Sequence, residues 1–326
     1  MTEETIRGNQ RRTLSGYGAL AGNLALPLLV VLMSVVTGVI EPRFWSSQNL
    51  LSLSRQMAPL LIVSVGQSYA VISGGLDLSV SAALALSGVY GVIAMNHFGL
   101  AAGLGVMAAT GLAFGAVNGF VITFFQVSPF IVTLGMLSVG RGLALMATGG
   151  QPIYDMPDAF IRIFGDGTVL GIPAPAIIGL LTIMVGAILL RRTVFGRYVY
   201  AIGSNSAAAY NSGVNVGLYT WLVYCLSGLT AGIGAIALTS WVTAAQPLAA
   251  SGLELQSLAA VVVGGIALTG GSGSMLNAFF GVMILGVLSN SLNMIGVSSF
   301  MQTLIIGLVI VIAVIVDRLR RGRVTR

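Results

Sequence analysis

The chain contains no lysine: all fifteen of its basic residues are arginine. A phosphate loop of the Walker type needs a lysine to reach the β- and γ-phosphates, so this polypeptide does not build such an ATPase by itself. Schiff-base chemistry is excluded for the same reason. Cysteine and histidine occur once each, as Cys225 and His97, which rules out an intrachain disulfide and a zinc site made of several such ligands. Charge of either sign is scarce. Asp, Glu, Lys and Arg make up 7% of the 326 residues, against roughly 25% in a soluble domain, and hydrophobic residues make up 56%. A surface so poor in charge does not stay in solution. The composition is that of an all-α polytopic membrane protein.

Long apolar runs and glycine are what the chain has in excess; its 44 glycines are about twice the usual share of roughly 7%. A helix needs about 20 mostly apolar residues to cross roughly 30 Å of hydrocarbon. Ten stretches meet or approach that length: 19–40, 56–73, 79–96, 100–125, 129–147, 175–190, 217–239, 254–270, 275–296 and 300–316. The expected organisation is a tail over 1–18, one transmembrane domain over 19–316 and a basic tail over 317–326. With the N-terminus in the cytoplasm, eleven of the fifteen arginines fall on that side, among them Arg7, Arg11, Arg12, Arg191, Arg192, Arg197 and the cluster after Asp317. This obeys the positive-inside rule with both termini cytoplasmic. It also accounts for the basic pI, so nucleic acid is not an expected partner.

Gly111, Gly115 and Gly119 form overlapping small-xxx-small steps, and Gly228 with Gly232 forms another, a pattern that lets helices approach closely in lipid. Gly74-Gly75, Gly264-Gly265 and Gly270-Gly271-Ser272-Gly273 fall near span ends instead, where they can break a helix and free backbone groups that a cavity or protein contact must satisfy. No strand precedes these runs, so they are not a dinucleotide fingerprint. An internal echo links the two halves. Val127-Ser128-Pro129-Phe130 with Thr133-Leu134 recurs as Val297-Ser298-Ser299-Phe300 with Thr303-Leu304, and each copy follows an asparagine, Asn118 or Asn290. Five spans separate the copies, so they run in opposite directions, as in a five-plus-five inverted repeat of a transport protein. Chance or generic helix-entry chemistry is the competing explanation.

One connection, 191–216, is too long for a simple turn. Within it Ser204-Asn205-Ser206 supply N-cap chemistry, Ala207-Ala208-Ala209-Tyr210 are helix-compatible and Ser212-Gly213 read as a stop. A two-turn helix is expected there, its three alanines leaving room for a partner's groove; an amphipathic linker lying on the headgroups is the alternative.

This segment, from Thr193 through Phe195-Gly196-Arg197, Tyr200-Ala201-Ile202-Gly203, Asn205, Ala208-Ala209 and Ser212-Gly213, closely resembles the cytoplasmic coupling segment of ribose/xylose/arabinose-type ABC importer permeases. Ser73-Gly74-Gly75-Leu76-Asp77-Leu78-Ser79, Asn118-Gly119, Pro129 to Gly135, Arg141-Gly142, Gly252 to Leu255, Ala259 to Gly265 and Gly270-Gly271-x-Gly273 extend the resemblance, in order, from about residue 40 to Asp317. It implies a permease subunit of the bacterial inner membrane, not an enzyme, translocating a monosaccharide or similar small polyol. The implied partners are cytoplasmic ABC ATPase subunits, which bind the ATP and Mg, a periplasmic sugar-binding protein, and a second permease subunit. No cofactor is expected in this chain. The resemblance implies ATPase coupling by Phe195, Gly196, Arg197, Gly203, Ser204, Asn205, Ala208, Ala209, Ser212 and Gly213. Ser81, Ser204, Tyr210 and Gln256 depart from the family's pattern; Tyr210 replaces a frequent basic residue, which removes a salt bridge to the ATPase from that position.

Asp77 follows two glycines and is read as capping the next helix, with holding the turn's N–H groups or responding to the ATPase as the alternatives. Arg141 lies six residues from its span's outer end and can snorkel, pair with an acid or line a gate. Asn118, Thr133, Asn290, Asn293 and Gln302 are neutral hydrogen-bonding groups on the repeated spans, equally suited to line a pathway for polyhydroxyl solutes or to tie helices together. His97 reads as an interfacial residue. The rival function is a stand-alone ten-helix secondary transporter, but no acid lies near mid-span to couple it to an ion. An intramembrane enzyme would need a nucleophile with a base, or clustered carboxylates, and the chain has neither.

Overall fold

A computed structural model describes residues 24–322; the tail 1–18, the start of the first expected span and the last four residues lie outside the described part. The apolar helix α1 (Leu24–Ile40) leads into a 3-10 turn, Pro42–Trp45. There follow α2 (Ser47–Ile72), α3 (Val80–Phe98), α4 (Leu100–Phe124) and α5 (Pro129–Thr148). A connection with a short helix α6 (Asp158–Phe160) and a two-stranded hairpin, β1 (Thr168–Val169) and β2 (Ile172–Pro173), leads to α7 (Ala174–Arg192). The second half holds α8 (Val194–Ser204), α9 (Ser206–Asn211), α10 (Val216–Val242), α11 (Leu253–Val263), α12 (Met275–Met294) and α13 (Ser299–Gly322).

Local chemistry sets the ends. Ser46 caps α2, Asn215 caps α10 and Ser274 caps α12, each side chain accepting a backbone N–H of the first turn. Proline opens α5 at its first position, and Gly149 closes it in the left-handed conformation. The span expected over 254–270 is shorter as a helix: α11 stops at Val263, where the Asn277 side-chain amide donates to the Gly264 carbonyl at 2.6 Å. That bond satisfies one of the groups the glycine break sets free. At the other extreme α2 begins at Ser47, nine residues before the apolar run that marked it, because its first turns are polar but well capped.

Among the described residues six helices, α3, α4, α5, α7, α10 and α12, are long and apolar enough to cross a membrane. The protein is thus an all-α membrane protein. Its centre is α2, α3 and α10: every residue of α2 from Met57 to Ile72 is buried, and so is every residue of α3 from Val80 to Val89. α4 packs on α10 and α3, α5 on α3, α7 on α2, and α11 and α12 on each other and on α2, with α13 outside them. The α4–α10 crossing is the tightest. A Cβ at Gly115 would collide with the Tyr224 carbonyl, and one at Gly228 with the carbonyl of Gly111. The glycine steps thus serve backbone-to-backbone packing. The outer faces carry exposed Leu112, Phe120, Ile131, Leu134, Leu181 and Ile188, a surface for lipid.

Candidate coupling surface and enclosed cavity

The connection after α7 folds as two helices, where a single one over Ser204–Gly213 was expected. α8 occupies Val194–Ser204, capped by the Thr193 hydroxyl, which accepts from the Gly196 N–H at 3.3 Å. Gly196, Val199 and Ile202 form its buried stripe at helical spacing. That stripe was present in the sequence, but the β-branched and aromatic residues around it favour no helix by propensity. α9 then starts where its cap was expected, with Asn205 Oδ1 accepting from the Ala208 N–H at 2.9 Å. It ends at Asn211 with Ser212 as its C-cap, before Gly213 turns left-handed at φ +84°.

The ten residues of the expected coupling set divide into two groups. Ser204, Asn205, Ala208, Ser212 and Gly213 are exposed, as is Arg197, together with Ser206, Ala207 and Tyr210. Phe195, Gly196, Gly203 and Ala209 face the protein. Phe195 packs between Tyr69 of α2 and Tyr219 of α10, with ring centroids 5.6 and 6.2 Å away. Gly196 lies against the backbone of Leu190. Ala209 is buried with Ile202 and Val214.

Gly203 sits in a junction of three segments. A Cβ there would fall on the Ile72 carbonyl oxygen, which already accepts from the Gly271 N–H at 2.8 Å. Gly74, Gly270 and Gly271, all at positive φ, complete the junction, so the end of α2, the end of α8 and the loop before α12 meet through backbone alone. The Tyr200 hydroxyl adds a fourth tie, donating to the Gly273 carbonyl at 2.7 Å. Burial raises the pKa of that phenol, which keeps it a donor.

The polar residues are placed as follows. Asp77 is fully buried; one carboxylate oxygen accepts from the Ser79 N–H and hydroxyl at 3.0 and 2.6 Å, the other from Ser227 of α10 at 2.7 Å. It bridges two elements and does not cap α3, whose first residue is Val80. Asn118 donates to the Ser79 hydroxyl at 2.7 Å, and Thr133 donates back to the Pro129 carbonyl at 2.8 Å. Asn290 makes a reciprocal amide pair with Asn49 at 3.0 and 3.1 Å. Gln302 donates to the Val297 carbonyl at 2.9 Å, and Asn293 is exposed near the end of α12. Arg141 does not snorkel: its guanidinium pairs with Glu254 of α11 at 3.0 Å, and the other Glu254 oxygen accepts from the Gly252 N–H. Sequence spacing gave no hint of this pair, which joins residues 113 apart.

A cavity of about 190 Å³ lies among α2, α10, α11, α12 and α13. None of the five polar residues on the repeated spans lines it.

Residues 49–314 match the family described as branched-chain amino acid transport system / permease component. The chain is 41% identical to the ribose import permease protein RbsC of Bacillus subtilis (strain 168), over 98% of this chain and 99% of that one. It is 36% identical to the protein of the same name in Escherichia coli (strain K12), covering 97% and 99%, and 32% identical to the D-allose transport system permease protein AlsC of that organism, covering 90% of each. No solved structure matches it. With four-fifths of its length inside the family's match and relatives aligned almost end to end, the chain belongs to this family of transport-system permease components.

Proposed function

We propose that this chain is the membrane-spanning subunit of an ATP-binding-cassette importer for a monosaccharide or similar small polyol, in the bacterial inner membrane. The family's description names branched-chain amino acids, but relatives matching over nine-tenths of the chain or more are named for ribose, D-allose and L-arabinose. ATP and Mg belong to separate cytoplasmic ATPase subunits, a periplasmic sugar-binding protein delivers the cargo, and a second permease subunit, most simply a copy of this chain, completes the pore. Ten spans are formed by α1, α2, α3, α4, α5, α7, α10, α11, α12 and α13, with both termini cytoplasmic. The helix contacts support the five-plus-five inverted arrangement. Exchanging α2 with α10, α3 with α11, α4 with α12 and α5 with α13 turns the α4–α10 contact into α12–α2, α3–α5 into α11–α13, and α3–α10 into α11–α2, all of which occur.

The observation that carries the coupling role is the contrast within α8 and α9. α9 shows a partner small side chains, Tyr210 and Asn211, while α8 beside it is fastened by backbone contact to α2 and to the loop before α12. A push on α9 therefore reaches two spans without passing through flexible side chains. The interface would be formed by Arg197, Ser204, Asn205, Ala208, Ser212 and Gly213, with Phe195, Gly196, Gly203 and Ala209 holding it in place. Asn118, Thr133, Asn290, Asn293 and Gln302 remain the proposed polar groups beside the pathway, Asn293 first, since its side chain makes no hydrogen bond within the described residues.

The test is reconstitution with the ATPase and the binding protein in proteoliposomes. Uptake should require all three partners and ATP. Ala208→Trp should abolish binding-protein-stimulated ATP hydrolysis while the subunit stays in the membrane. Unchanged stimulation and uptake would overturn the coupling assignment. Uptake by the chain alone, driven by an ion gradient, would establish the secondary-transporter alternative.

A further inference from the structure

The cavity among α2, α10, α11, α12 and α13 has side chains of two kinds. Leu60, Leu238 and Leu285 give it apolar walls. Gln56, Trp241, Ser251, Gln256 and Ser289 also line it, and none of these five side chains makes a hydrogen bond within the described residues. Elsewhere in the chain Asn49, Asn118, Asn277, Asn290 and Gln302 all direct their amides to protein partners. Gln56 and Ser251 are exposed and Trp241, Gln256 and Ser289 partly so, so the space is open on one side and these groups are free to bond water or an incoming molecule.

The geometry points to this cavity as a binding subsite for a neutral, polyhydroxylated ring. Among the described residues no charged side chain lines it, so an ionic ligand would enter without a counter-charge. Gln56 and Gln256 each offer a donor and an acceptor, as does each serine hydroxyl, which suits groups that both give and accept a proton. Trp241 adds an N–H donor and a flat apolar face for the C–H side of a ring. The size agrees: an apolar cavity of about 150 Å³ takes a benzene ring, and this one, at about 190 Å³, has room for a ring with hydroxyls.

Its position gives the subsite a place in the transport cycle. Gln56 is in the early turns of α2, Trp241 is next to the last residue of α10, Gln256 is in the first turn of α11 and Ser289 is near the end of α12. All lie at the helix ends opposite the α8–α9 junction, where the importer reading has the binding protein dock. The Arg141–Glu254 pair holds the same first turn of α11 that carries Gln256. The other end of α11 opens into the glycine loop whose Gly270 and Gly271 lie against Gly203 and Ser204. One helix of 11 residues thus joins the subsite to the coupling junction.

This inference rests on the importer reading, and its test separates the two. The assembled importer in proteoliposomes is supplied with labelled D-ribose, D-allose or L-arabinose on its binding protein. If the wild-type assembly carries none of them, the monosaccharide reading itself fails. Given wild-type uptake, the double variant Gln56→Leu/Gln256→Leu and the single variant Trp241→Leu should each lower uptake on the order of tenfold or more, the factor for lost hydrogen bonds and ring contact, with stimulated ATP hydrolysis unchanged. Ser289→Cys should react with an impermeant maleimide added outside, more slowly when loaded binding protein is present; the native Cys225 is buried. Unchanged uptake in both variants, parallel loss of uptake and ATP hydrolysis, or an unreactive Ser289→Cys would each overturn the subsite.

Discussion

The Ile72 carbonyl oxygen at the end of α2 accepts from Gly271 and leaves beside it a space that only a residue without a Cβ, Gly203 of α8, can fill. Both neighbours are backbone, so neither can rotate away. Gly203→Val should therefore lower the thermal midpoint of the purified subunit, at a cost of about 1–3 kcal/mol or more for overpacking, whereas Ala208→Trp on exposed α9 should leave it in place. A midpoint unmoved by Gly203→Val would show that the junction can open.

The α4–α10 seam makes a prediction with a control on the same helix. Gly115→Leu and Gly228→Leu face carbonyl oxygens of the opposite helix, while Gly105 faces open space. The first two should reduce folded yield and thermal stability strongly, and Gly105→Leu should do neither. Equal effects at all three positions would mean that the seam is not the tight crossing described.

Arg141 and Glu254 should behave as a pair. Glu254 is the more buried partner, with 10% of its side chain exposed against 32% for Arg141. Arg141→Met leaves that carboxylate uncompensated, with a stability loss of roughly 1–2 kcal/mol after allowing for solvent at the guanidinium. The double variant Arg141→Met/Glu254→Gln should recover part of the loss. Strict additivity of the two single changes in thermal unfolding would count against the pair.

Asn49 and Asn290 exchange two amide hydrogen bonds between α2 and α12. Asn290→Leu should cost about 0.6–1.7 kcal/mol, the range for polar ties between membrane helices. A double-mutant cycle with Asn49→Leu should show most of it as coupling. If Asn290→Leu instead abolishes uptake without loss of stability, Asn290 belongs to the pathway.

The helices were legible in the sequence because the bilayer imposes a length on each apolar run, and the cap at Asn205 marks the start of α9. The glycine steps of α4 and α10 predicted a close crossing, although not that each was the other's partner. α8 was missed because Thr193, Val194, Tyr198 and Tyr200 lower helix propensity, and its stability comes from the packing of Val199 and Ile202. Arg141's partner and the Asn49–Asn290 pair were invisible for another reason: they join residues far apart in the chain, and a spacing rule sees only neighbours. For the same reason Gly203 read as part of a docking surface, when its Cα faces inward.

The α4–α10 seam also limits how this protein can move. Side chains that interdigitate can change rotamer and let two helices slide past each other by small steps. Where carbonyl oxygens lie against glycine Cα atoms there is no rotamer to change, and sliding by a single residue would bring Leu112 or Ala116 into the place of a glycine. The two helices therefore travel as one stiff beam, and any opening or closing of the transport route is a tilt about the beam's ends, with no shear along its length.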